Sequence, residues 1–142
     1  MTKDAPIIIV EDDLDDQDSL REAFESLKYP NKLYFFSDGQ TAFNFLNDTD
    51  VQPFLILCDI NMPRLSGFDL KSKLHLNRAM ELRCVPYLFF STANNQKTVM
   101  DAYSLSVQGF FLKQNTMLEL KKTITIIMDY WTRCTSPSTF AN

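Results

Sequence analysis

The chain has 142 residues, enough for the core of one ordinary domain, and 45% of them are hydrophobic, with twelve Phe, five Tyr and one Trp as bulky packing material. Its 14 basic residues against 18 acidic ones leave a formal charge of -4. The basic residues are scattered, with Lys121-Lys122 the longest run, so the basic face that phosphate backbones require is missing and nucleic acid is not expected as a partner. Cys58, Cys84 and Cys134 show no CxxC spacing, and His75 is the one imidazole, which argues against a disulfide framework or a zinc site. The opening MTKDAP lacks the apolar stretch of a signal peptide and no window approaches eighteen apolar residues, so a cytoplasmic protein without a membrane partner is expected.

In chain order, residues 7–10 form a short apolar run of strand length, followed at once by the acidic stretch Glu11, Asp12, Asp13, Asp15 and Asp16. Leu20, Ala23, Phe24 and Leu27 stand at i, i+3, i+4 and i+7 and predict a helix, with Asp15, Asp16 and Asp18 filling a first turn where negative charge suits the helix dipole. Residues 33–36, bracketed by Lys32 and Ser37, read as an edge strand, and residues 38–47 as a helix through Ala42, Phe43 and Leu46. A third strand over 54–58 ends in Cys58, expected to be a small buried hydrophobe, and precedes a helix over 67–77 carrying Phe68, Leu70 and Leu74, with His75 on its solvated face.

A fourth strand covers 87–90, and Val99, Met100, Tyr103 and Val107 mark a helix whose Met and aromatic stripe is read as core. A fifth strand covers 109–112, and Met117, Leu120, Ile124, Ile127 and Trp131 mark the last helix. Strand runs with no polar alternation suit strands covered on both faces. Five strand and helix pairs in alternation predict an α/β fold, a doubly wound parallel sheet with helices on both sides.

Sites in such folds lie beyond the carboxyl ends of the strands. Here strand one ends in Glu11-Asp12-Asp13, strand three in Asp59, strand four in Ser91-Thr92 and strand five in Lys113. Two ionised carboxylates ~4 Å apart repel by ~4 kcal/mol at an effective dielectric near ~20. Three together therefore need either raised pKa values or a cation, and all-oxygen ligands favour a hard divalent ion such as Mg²⁺. In that setting Asp59 could attack a phosphoryl group, with Lys113 neutralising the transferred oxygens and the Ser91 hydroxyl donating a hydrogen bond to one of them. Taken singly, each feature has a plainer reading: an acidic cluster after a strand as a helix cap, Ser91 as a loop hydroxyl, Lys113 as a surface lysine.

VEDD at 10–13, CDINMPRLSG at 58–67, FFSTA at 89–93 and FFLK at 110–113 resemble, in order and spacing, the receiver domain of two-component response regulators, over about residues 6–131. The resemblance implies a flavodoxin-like receiver fold with strand order 2-1-3-4-5, residues 1–133 as the domain and 134–142 as a flexible tail. It implies Asp59 as phosphoacceptor, Glu11, Asp12, Asp59 and the backbone carbonyl of Asn61 as Mg²⁺ ligands, Ser91 and Lys113 as phosphate-contacting groups, and Phe110 as an aromatic switch. Met62, Pro63 and Gly67 shape the loop. Asn61 and Ala93 match positions that tune phosphoryl lifetime, and neither side chain could activate water. One departure is Gln114, where receivers usually carry a cis proline after the lysine, so the Lys113-Gln114 bond is either trans in a reshaped loop or cis at a cost of ~3 kcal/mol or more.

No output domain follows the last helix, so the implied protein is a stand-alone response regulator rather than an enzyme, catalysing only its own phosphorylation and dephosphorylation. Its implied partners are a sensor histidine kinase or histidine phosphotransfer protein and a downstream protein. The latter would read the face built from helix four, strand five and helix five, which could also support a homodimer. A receiver fold acting only as a docking module is the alternative, and an aspartyl-phosphate phosphatase of the haloacid-dehalogenase kind is disfavoured because Asn61 occupies the place of its second Asp.

Overall fold

The computed structural model describes residues 3–77, 84–92 and 95–135. Among them, strands β1 (Ile7–Val10), β2 (Leu33–Phe36), β3 (Leu55–Cys58), β4 (Tyr87–Ser91) and β5 (Gly109–Leu112) alternate with helices α1 (Leu14–Leu27), α2 (Gly39–Asp48), α3 (Gly67–Asn77), α4 (Gln96–Ser104) and α5 (Met117–Arg133). The strands are parallel in the order β2-β1-β3-β4-β5, with β2 at an edge as its flanking residues suggested.

The two-residue period of a strand divides the apolar runs between two cores. Ile7, Ile9, Leu55, Leu57, Leu88 and Phe90 pack with α1 and α5 through Leu20, Phe24, Ile124 and Ile127. Ile8, Val10, Ile56, Cys58, Tyr87 and Phe89 pack on the other side with α2, α3 and α4 through Ala42, Leu46, Leu70 and Ala102. With both faces covered, β1, β3 and β4 have no position for a polar residue until they end, and this explains why their polar groups collect at one rim.

Register brings those ends level. Val10 pairs with Cys58, Cys58 with Phe89, and Phe89 with Phe110, so Glu11 and Asp59 emerge side by side where β1 and β3 connect in opposite directions across the sheet. Backbone bonds continue past the strands: Glu11 N–H donates to Phe36 O at 2.9 Å, Asp59 N–H to Val10 O at 2.9 Å and Lys113 N–H to Ser91 O at 3.0 Å.

The expectation that Met100 and Tyr103 belong to the core is corrected: they are 62% and 51% exposed, and the residue of α4 that turns inward is Ala102. Met100 lies two residues, or ~200°, around the helix from Ala102, and so faces away from the sheet. Val107 is buried but stands beyond the helix, which stops at Ser104. On α5 the expected stripe is buried at Leu120, Ile124 and Ile127, joined by Met128, while Trp131 is half-buried. Cys58 is buried and His75 exposed, as expected. Of the expected tail, residues 136–142 lie outside the described residues.

Gly67 opens α3 directly behind Asp59. Its N–H donates to Ile60 O at 2.8 Å, its carbonyl accepts from the Tyr87 hydroxyl at 2.9 Å, and a Cβ there would overlap the Asp59 carbonyl oxygen and stand 2.8 Å from Phe89 Cε1. Because the obstructing atoms are backbone and a buried ring, they have little room to yield. Gly67→Ala is expected to lower unfolding free energy by about 3 kcal/mol in urea titrations, at the upper end of ordinary overpacking. An unchanged midpoint would show that α3 can move off Asp59 without cost.

Candidate functional site

Four elements place charged groups at the carboxyl rim. Glu11 follows β1 and is only 3% exposed; Asp59 follows β3 and is also buried. Lys113 follows β5, and its Nζ lies 2.8 Å from Glu11 Oε1, 3.1 Å from Asp59 Oδ2 and 2.7 Å from Asp16 Oδ2 on α1. Asp12 is exposed beside them, and Glu11, Asp12 and Asp59 each offer a carboxylate oxygen within 4.8 Å of the others. That donor set, hard and all oxygen, could hold a divalent cation of the Mg²⁺ type.

The electrostatics have a definite direction. Burial pushes the Glu11 carboxyl up to about 7, against the opposing hydrogen bonds from Lys113 and the Asp13 N–H, and the nearby Asp59 charge adds to the rise. Burial also works against the Lys113 ammonium, but hydrogen bonds to Asp16, Glu11 and Asp59 outweigh it and hold the lysine above its ordinary range. One ammonium is thus shared among three carboxylates, and at Glu11 its pull is smaller than the cost of burial.

Local chemistry fixes these groups. Asp13 caps α1, its side chain accepting from Asp16 N–H at 3.0 Å, and Asp59 Oδ1 accepts from the Ile60 N–H at 2.7 Å. Gln17 was not singled out in the sequence, yet it is buried, and its Nε2 donates to Glu11 O at 2.6 Å and to Ser37 Oγ at 3.2 Å, joining α1 to the ends of β1 and β2. Its place on the stripe Gln17, Leu20, Phe24 was the available signal. Asp16 was read as a first-turn helix charge only; it has that position and also binds Lys113.

Of the other expected residues, Ser91 is buried on β4, next to Lys113 through the backbone. Phe110 does not join the charged cluster; it is half-buried, its ring 6.1 Å from that of Phe89. Asn61 is exposed, Met62 packs on the α2–α4 core, and Ala93 lies outside the described residues. No cis peptide occurs among the described residues, so the Lys113-Gln114 bond is trans, and the Gln114 amide turns back to donate to Leu112 O at 2.9 Å.

A carboxylate, an acidic pair and a lysine share the strand ends of a doubly wound parallel sheet, and residues 7–125 match the family model described as the response regulator receiver domain. The chain belongs to that family. It is 26% identical over 130 residues to the response regulator Rcp1 of Synechocystis sp., covering 88% of this chain and 87% of the relative. It is also 26% identical over 129 residues to a probable methanogenesis regulatory protein, FilR2, of Methanothrix harundinacea, covering 88% and 82%. Its fold matches the crystal structure of the phosphorylated cyanobacterial phytochrome response regulator RcpA with a TM-score of 0.84 at 25% identity, covering 94% of this chain and 99% of the other. Against the Mn²⁺-bound form of Rcp1 the TM-score is 0.80 at 25% identity, covering 94% and 99%.

The raised Glu11 value ties stability to pH. The folded protein holds this proton to about 7, whereas the unfolded chain releases it near 4.5, so the contribution to stability is complete below pH 4.5, declines as pH rises and is gone above about 7. Glu11→Gln cannot titrate. In urea unfolding with a chelator present, the wild type should lose up to ~1.4 kcal/mol per pH unit relative to Glu11→Gln between these limits. Parallel pH profiles for the two proteins would contradict the assignment.

Proposed function

We propose that this protein is a stand-alone response regulator in which Asp59 accepts a phosphoryl group from a histidine kinase or histidine phosphotransfer protein. The observation that carries this reading is the convergence of Lys113 on Asp59 and Glu11, at 3.1 and 2.8 Å, beside a second exposed acid, Asp12. A buried carboxylate with one oxygen held by the Ile60 N–H and the other by an ammonium is a positioned nucleophile. The Asp59 Oδ–P bond forms as the donor's P–N bond breaks, and the departing histidine nitrogen keeps the electron pair and takes up a proton.

Lys113 neutralises oxygens of the transferred group, and the Ser91 hydroxyl donates to one of them. Mg²⁺, held by Glu11, Asp12, Asp59 and the Asn61 carbonyl, would supply further charge neutralisation when bound. The Mn²⁺-bound form of Rcp1 supports a divalent-cation role for this acidic set. Catalysis extends no further than the domain's own phosphorylation and dephosphorylation.

Phe110 then acts as an aromatic switch, its half-buried ring, packed against the core 6.1 Å from that of Phe89, moving when Ser91 turns to the phosphoryl group. The changed surface is the face of α4, β5 and α5, where Met100, Tyr103 and Leu112 are exposed and offer apolar contact area to a downstream protein or a second copy. Residues 1–133 form the receiver unit and 134–142 its tail. A cytoplasmic location agrees with the described helices, none of which is long and apolar enough to cross a membrane.

With Mg²⁺ and acetyl phosphate, intact mass measurement should show one added phosphoryl group on the wild type and none on Asp59→Asn. A wild type that gains nothing, or an Asp59→Asn variant that gains as much, would overturn the reading.

A further inference from the structure

A lysine ammonium has three hydrogens, and each of those on Lys113 has a carboxylate oxygen within reach: Asp16 Oδ2 at 2.7 Å, Glu11 Oε1 at 2.8 Å and Asp59 Oδ2 at 3.1 Å. On the functional reading above, two of these acceptors have other work. Glu11 belongs to the acidic set, and Asp59 gives an oxygen to the bond with phosphorus. Asp16 has neither duty, yet it makes the shortest of the three contacts.

Its support is firm. Asp16 sits in the first turn of α1, its N–H held by the Asp13 carboxylate at 3.0 Å, and the next residue, Gln17, ties that turn to Glu11 O at 2.6 Å. The Asp16 side chain is 40% exposed, against 3% for Glu11, so it approaches Lys113 from the solvent side of the cluster. Lysine's four-carbon stem otherwise searches many rotamers, and holding it in one costs conformational entropy.

We propose that Asp16 is a positioning residue for phosphoryl transfer: it anchors the Lys113 ammonium from α1, keeping the lysine over Asp59 while its bonds to Glu11 and Asp59 change during the reaction. Asp15 is the natural control, a neighbouring exposed acid with the same charge and no contact to Lys113 among the described residues.

Two measurements on the full chain test this. Asp16→Asn and Asp16→Ala remove the same charge, but asparagine retains an oxygen acceptor in place of the carboxylate. With acetyl phosphate and saturating Mg²⁺, Asp16→Ala should be phosphorylated at least ~5-fold more slowly than Asp16→Asn, and Asp15→Ala should match the wild type. Equal rates for the two Asp16 variants would overturn the proposal. In the unphosphorylated protein, the Lys113 ammonium should give an exchange-protected NMR signal, assigned by its disappearance in Lys113→Ala, that is kept in Asp15→Ala and lost in Asp16→Ala. Persistence of that signal in Asp16→Ala would overturn the anchor whatever the rates. If the wild type accepts no phosphoryl group, the functional reading fails, and the NMR comparison still decides the anchor.

Discussion

A single ammonium, that of Lys113, lies within 3.1 Å of carboxylate oxygens of Glu11, Asp16 and Asp59 and draws the three side chains to one point of the rim. Two of these acids are buried, so the screening that makes surface charges tolerable is weak here. Much of the rim can be understood as the means of holding this arrangement. The strand ladders are extended by one bond at Glu11, Asp59 and Lys113, Gln17 secures the carbonyl of Glu11, and Gly67 lets α3 start directly against Asp59. The two apolar cores on either side of the sheet provide the favourable burial that offsets a costly rim.

The balance of charge at this rim is incomplete. One lysine does not neutralise the acids around it, so burial leaves Glu11 protonated to about 7. A divalent cation or a proton can relieve the excess, and the two compete for the same oxygens. On the proposed function, a phosphoryl group brought to Asp59 would add negative charge that Lys113 and a bound cation would offset. Lys113 directly follows β5, and Phe110 lies three residues before it on that strand, packed on the same core as α4.

Much of this was legible in the residues themselves, for physical reasons. Short apolar runs without alternation, alternating with amphipathic helices, suit strands of a covered parallel sheet, and in such a sheet the polar residues that follow the strands share a rim. Glu11, Asp12, Asp59 and Lys113 could therefore be grouped before any coordinates. The role of Asp16 was not legible, because a helix first turn already accounts for an acid at that position and no local pattern points to a lysine 97 residues away. The stripe on α4 misled because Met100 and Tyr103 have helical spacing but belong to the outward side of a helix whose inward contact is a single small residue, Ala102. Gln114 left two peptide geometries open, and the bond is trans.

A rim short of positive charge should take a divalent cation between Glu11, Asp12 and Asp59. Calorimetric titration with Mg²⁺ at pH 6.5, repeated in buffers of different ionisation enthalpy, measures this. One ion should bind per chain with release of a fraction of a proton from Glu11, and Asp12→Asn should weaken binding at least ~10-fold. Absence of binding at millimolar Mg²⁺, or binding without proton release and indifferent to Asp12→Asn, would contradict the account.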